Sequence, residues 1–158
     1  MQKKNLDLNK QLAKHLREVF FGGNWTGVDL KKTISDINWQ TAIKKTDQLN
    51  TIAVLTFHIG YYIKAVLKVF QGGPLDAHDK YSFDLPEITN EEEWKKLLET
   101  LFTEAEELAK EIEKLNDEEL TSDLADPKYG SKYRNIMGLI EHTHYHLGQI
   151  ALLKKMVI

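Results

Sequence analysis

The sequence contains no cysteine. That excludes thiolate metal sites, cysteine nucleophiles and a disulfide framework, and it fits a reducing, cytoplasmic setting. Any transition-metal site in this chain must be built from histidine and carboxylate. A basic excess is also missing. Lys and Arg number 21 against 24 Asp and Glu, for a formal net charge of −3. The two signs interleave, so no broad positive field exists to capture a phosphate backbone, and nucleic acid is not an expected partner. No uninterrupted apolar run approaches the ~20 residues of a membrane span. Charges dispersed through MQKKNLDLNKQLAKHLREVFF leave no signal-peptide core, so no membrane association is expected. There are only three prolines, Pro74, Pro86 and Pro127, and all fall between the helical stretches. Neither an internal repeat nor a low-complexity tract is present. A chain of 158 residues fits one domain, 1–158, with a core large enough to need no metal for stability.

What is present is helical period. From about Asn5 to Phe20, Leu8, Leu12, Leu16, Val19 and Phe20 recur at three- and four-residue steps, and Gly22-Gly23 suit the helix C-terminus. Between Trp25 and Lys45 the pattern is mixed, and predicts a covering loop with one or two helical turns plugged by Trp25, Ile34, Ile37 and Trp39. A second helix is predicted from Thr46 or Asp47 to Phe70, apolar nearly all round and therefore central. QGGPLDAHDKYSFDLPEI then reads as a long, ordered, non-helical crossover, of a length that is often functional. The third helix opens on Asn90, with Glu93 placed to return the cap, and carries the stripe Trp94, Leu97, Leu101, Leu108, Ile112 and Leu115. NDEELTSDLADPKYGSK is a second connection, and the last helix runs from about Tyr133 to Met156.

The last helix carries the chemistry. His142 and His146 are four apart, about 40° from each other on one face, so two imidazoles can reach one ion. His144 lies about 200° from His142 and cannot join them. The spacing alone equally suits a polar helix surface. Gly138, Leu139, Gln149 and Leu153 nearby suggest instead that this face looks inward. On the second helix, His58 stands among Val54, Leu55, Phe57, Ile59, Tyr61 and Tyr62, and must be mostly buried. A buried imidazole needs partners for its nitrogens. A tyrosine or a carbonyl would serve a lone histidine, but a divalent ion shared with His142 and His146 accounts for all three placements.

The segment HTHYHLGQI resembles the terminal-helix signature of the DinB-like, or YfiT-like, superfamily, in which one histidine precedes a second by four residues in a His-x-Gly-Gln pattern. His58 in VLTFHIGYY is similar to that family's second-helix histidine, and WTGVDLKKTISDIN to its Trp-containing segment. Leu147 stands where the family often has arginine. The resemblance implies an all-α fold, a four-helix bundle of up-down-down-up order with the long crossover between helices 2 and 3. It also implies a metal near one end of the bundle, held by His58, His142 and His146, and frequent homodimerisation.

Three neutral imidazoles favour Zn²⁺ or Ni²⁺ over Mg²⁺ or Ca²⁺, and leave a position for water or substrate. Characterised relatives include thiol-dependent S-transferases and a thiol-dependent isomerase. The resemblance thus implies a transferase using a low-molecular-weight thiol, or a hydrolase acting through metal-bound water. Asp76, His78, Asp79 and Tyr81 of the crossover are candidates to shape the pocket, although an ordinary solvated loop would have the same composition. Tyr62 and Tyr145 read as core or ligand-supporting groups, and Glu141 as pointing away from the site. No residue stands out as catalytic acid, base or nucleophile. The alternative is therefore a non-catalytic, metal-binding or stress-associated bundle. Trp94, Trp25 and the apolar terminus LLKKMVI are the candidate dimer contacts.

Overall fold

The computed structural model describes residues 7–158, so the predicted helix start at Asn5 lies outside the described residues. Seven helices occur among them: α1 (Leu8–Phe21), α2 (Leu30–Ile34), α3 (Trp39–Ala42), α4 (Ile52–Phe70), α5 (Glu91–Glu113), α6 (Asp117–Thr121) and α7 (Lys132–Val157). There is no β-sheet among the described residues, only one isolated bridge between Asp123 and Ser131. The expected all-helical bundle is what the chain forms. The long helices α1 and α4 each pack against both α5 and α7.

The stripes predicted for α1 and α5 enter the core together with apolar faces of α4 and α7. Leu12, Leu16, Val19 and Phe20 of α1 are buried with Leu55, Ile59 and Ile63 of α4, Leu101, Leu108 and Ile112 of α5, and Ile136, Ile140, Leu147 and Ile150 of α7. Helix α4 is long and apolar enough to cross a membrane by length and composition, although His58, Lys64 and Lys68 interrupt its apolar run. Here it packs on α5 and α7, and most of its apolar side chains are buried. Outside the core, Arg17 of α1 forks onto Glu106 and Glu113 of α5. The guanidinium holds the Glu113 carboxyl below its ordinary pKa.

Several local expectations shift. Helix α1 ends at Gly22, where φ is +105° and a side chain would be strained. Helix α4 begins later than predicted, at Ile52, because Thr51 and not Thr46 or Asp47 is the cap; its hydroxyl accepts from the Val54 N–H. Asp47 instead has φ +48°, which no right-handed helix can include. At α5, Asn90 caps as expected, but Glu93 bonds the Thr89 N–H and hydroxyl and not the Asn90 N–H. The reciprocal capping box appears at Asn116 and Glu119, opening α6 inside the stretch read as a plain connection. Trp25 is not a plug but fully exposed, whereas Ile34 and Ile37 are buried. Trp94 is fully buried and its indole N–H donates to the Ile37 carbonyl at 2.8 Å, so it ties the α2–α3 cover to the bundle and cannot serve as a dimer contact.

Candidate metal centre

Helix α4 presents His58 from its centre and α7 presents His142 and His146 one turn apart, so the site spans the seam between these packed helices. The three rings stand in mutual contact, with centroids 4.8 Å apart for His58 and His142, 4.7 Å for His58 and His146, and 4.5 Å for His142 and His146. One donor nitrogen from each lies within 4.8 Å of the others. His58 and His146 are buried and His142 half-buried. His144 is half-buried elsewhere on α7, where burial and then repulsion from His15 lower its pKa.

The far nitrogens are already engaged. His58 Nδ1 lies 3.2 Å from the Ser82 carbonyl, which can only accept, so Nδ1 carries the hydrogen and Nε2 keeps its lone pair. His146 Nδ1 donates to Gln149 Oε1 at 2.6 Å, with the same consequence. This is how metal-ligating histidines are commonly oriented. His142 Nε2 lies 3.0 Å from His58 Nε2. Two lone pairs at that distance repel unless a proton or a cation stands between them.

Burial, reinforced by repulsion from His146 and His58, pushes the His142 pKa down to about 4. Burial is also the leading cause of the lowered values at His58 and His146. All three rings are therefore neutral near pH 7, the form that ligates. Around a tetrahedral ion with ~2.0–2.1 Å bonds, neighbouring nitrogens stand about 3.3 Å apart. The closest pair already meets that, and a separation of 4.8 Å would need to close by only ~1.5 Å. The donor set fits a divalent metal ion.

The crossover contributes more than its sequence indicates. Phe83 stacks on His58 with centroids 3.9 Å apart and an 11° interplanar angle. Tyr62 packs edge-on to His58 and His142, and its hydroxyl donates to Asp79. Burial and that bond raise the Tyr62 pKa, so it stays a phenol. Tyr61, next along α4, is bonded both ways to the backbone of His78. The loop candidates thus divide. Asp79 lines a cavity of about 1170 Å³ in front of the histidines, whereas Asp76, His78 and Tyr81 line a separate one of about 570 Å³ between α4 and α5. Tyr145 meets the edge of His146 but is exposed, so it is not core. Glu141, read as facing away, lines the large cavity beside His142. Ser82 and Phe83 were not legible in the sequence, since contacts from an irregular loop follow no period.

The DinB family matches residues 1–156. The chain belongs to the DinB family. Comparison with curated proteins and with solved structures gives no match. Among the described residues, His58, His142 and His146 form a group that could hold a metal ion.

Proposed function

We propose that this DinB-family chain is a cytoplasmic, divalent-metal-dependent enzyme, a transferase acting on a low-molecular-weight thiol or a hydrolase using the same site. His58, His142 and His146 would hold Zn²⁺ or Ni²⁺. An ion held by three neutral imidazoles with a position left over lowers the pKa of a bound water or thiol toward neutrality. The observation that carries the reading is the meeting of three neutral imidazoles, two with lone pairs fixed by Ser82 and Gln149, at the inner wall of a large cavity. Around that point Phe83 and Tyr62 exclude water from one side of His58, while Asp79 orients the Tyr62 hydroxyl.

The long helices are taken to run up-down-down-up. Helix α4 is roughly 28 Å long at 1.5 Å per residue. The twenty residues numbered 71–90 are enough to return along it and start α5 parallel to α4. A homodimer is proposed through exposed apolar groups, Trp25 or the terminal Leu152, Met156 and Ile158. Sedimentation velocity on wild type and Trp25→Ser protein distinguishes the two patches.

The test of activity is to load the protein with Zn²⁺ or Ni²⁺, supply cysteine, glutathione or bacillithiol with an alkylating electrophile, and follow thiol consumption. The reading expects consumption above that of His58→Ala protein. Equal rates would favour the second reading, a non-catalytic metal-binding bundle, which is supported by Asp79 being engaged with Tyr62 and so not free to act as a base.

A further inference from the structure

The cavity of about 1170 Å³ is far larger than an ion and a small thiol require, and exceeds the roughly 300–1,000 Å³ typical of ligand pockets. It extends along α7 toward that helix's first turns. Arg134, Gly138, His142 and Tyr145, spaced three or four residues apart on one side of α7, all line it. The backbones of Arg134 and His142 are roughly 12 Å apart along the helix axis.

The far end is built to hold a positive charge in place. The Arg134 stem lies across Gly130, where a Cβ would come within 2.9 Å of Arg134 Cδ. Among the described residues its guanidinium has neither an ion-pair nor a hydrogen-bond partner. Lys128 lines the same end, with a long contact, 3.8 Å, to Asp126 and its ammonium 4.9 Å from the centroid of the Tyr129 ring. The Asn135 amide donates to the carbonyls of Tyr129 at 3.0 Å and Ser131 at 2.8 Å, fastening the turn that carries Lys128 onto α7. The cavity's carboxylates lie at the other end, Glu141 next to His142 and Asp79 on Tyr62, where they would offset the charge of a dication on neutral ligands.

Between the two ends stands Gly138. No atom lies within 4 Å of the position its Cβ would take, so packing does not demand glycine there. A helix interior disfavours glycine more than any residue except proline. What the missing side chain does is keep open the trough from Arg134 to His142.

We propose that this trough selects the substrate: an extended small molecule whose metal-reactive group meets the histidines and whose carboxylate reaches Arg134 and Lys128 across Gly138. With Glu141 and Asp79 offsetting the dication, Arg134 and Lys128 leave two positive charges, which an anionic metal-bound group and one distal carboxylate balance; a phosphate dianion in place of that carboxylate would leave the cavity negative. The inference rests on the metal-centre reading above.

The test uses Co²⁺-loaded protein and the visible and near-ultraviolet bands of the bound ion, with no turnover required. Mercaptohexanoate and mercaptohexanol form one probe pair, and a six-carbon hydroxamate with and without a terminal carboxylate forms the second. In each pair the acid is expected to bind about tenfold tighter than its neutral partner. Arg134→Gln abolishes that difference. Gly138→Met weakens the acid by about tenfold or more while leaving Co²⁺ affinity unchanged and raising the thermal midpoint. Equal binding of acid and neutral probe in both pairs, or full affinity in Gly138→Met, overturns the proposal. If neither thiol binds but the hydroxamates keep the acid preference, the trough stands and the thiol reading falls. Failure to bind Co²⁺ removes both.

Discussion

The imidazoles of His58 and His146 are held by what their outer nitrogens touch, a carbonyl and an amide oxygen, and this support is worth testing separately from the ligands. Gln149→Leu removes the acceptor from His146 while adding no charge, and should weaken Zn²⁺ affinity by about 10- to 100-fold in a chelator competition. The metal-free thermal midpoint should fall as well, because the variant leaves the buried His146 Nδ1–H without its acceptor, so affinities are compared at a temperature where both proteins are folded. Proton linkage gives a second residue-scale prediction. The folded pKa of His142 is about 4 against an ordinary 6.5. Between those values the unfolded chain binds the proton and the folded chain does not, so metal-free stability rises with pH and is lost as pH falls from 6.5 toward 4. The thermal midpoint should decline already between pH 6.5 and about 5, above the carboxylate range, and His142→Phe should lessen that slope, leaving the share that the lowered His58, His144 and His146 contribute in the same direction. An equal slope in the variant would mean that another group titrates. At this scale the convergence of the three histidines was legible, because a four-residue interval on a helix and a histidine amid apolar neighbours both have geometric meaning. Ser82, Phe83 and the cavity-facing position of Glu141 were not, since they depend on how the crossover folds back.

At the scale of the element, stripes were more legible than ends. The apolar faces of α1 and α5 follow directly from three- and four-residue recurrence, and most of their predicted positions are buried, with Leu8, Leu97 and Leu115 half-buried against the core. The start of α4 was ambiguous because Thr46, Asp47 and Thr51 can all cap, and only the backbone at Asp47 decides against the early start. Helix α6 escaped notice because five residues make little more than one turn, although Asn116 and Glu119 carry the reciprocal cap signature. Trp25 and Trp94 show the same limit for aromatics. Both look like core, yet one is fully exposed and the other pins Ile37 beneath it. Trp94→Phe should therefore destabilise the fold by roughly 2 kcal/mol, because it strands a buried carbonyl as well as removing contact area. Equilibrium denaturation measures this, and a change within about 0.5 kcal/mol would show that the Ile37 bond contributes nothing net.

At the scale of the molecule, the helical class and the DinB family were legible from helical period and the histidine signature together. The division of the crossover between two cavities was not, because adjacent residues such as His78 and Asp79 turn to opposite sides of α4 through bonds to Tyr61 and Tyr62. Metal binding should act on the whole fold. An ion that binds only the native state stabilises it by about 2.7 kcal/mol at a free concentration 100 times its Kd. Calorimetry should therefore show the midpoint rising with Zn²⁺ and returning on chelation, with no such rise in His58→Ala protein. His58 and His142 are 84 positions apart, on helices that no covalent bond joins directly. A captured ion thus closes a loop of more than half the chain, as a disulfide would in a protein that had one. Chelation would act as reduction does there. It would release a long-range tether, so that hydrogen exchange and proteolysis within residues 59–141 become measures of how firmly that tether was held.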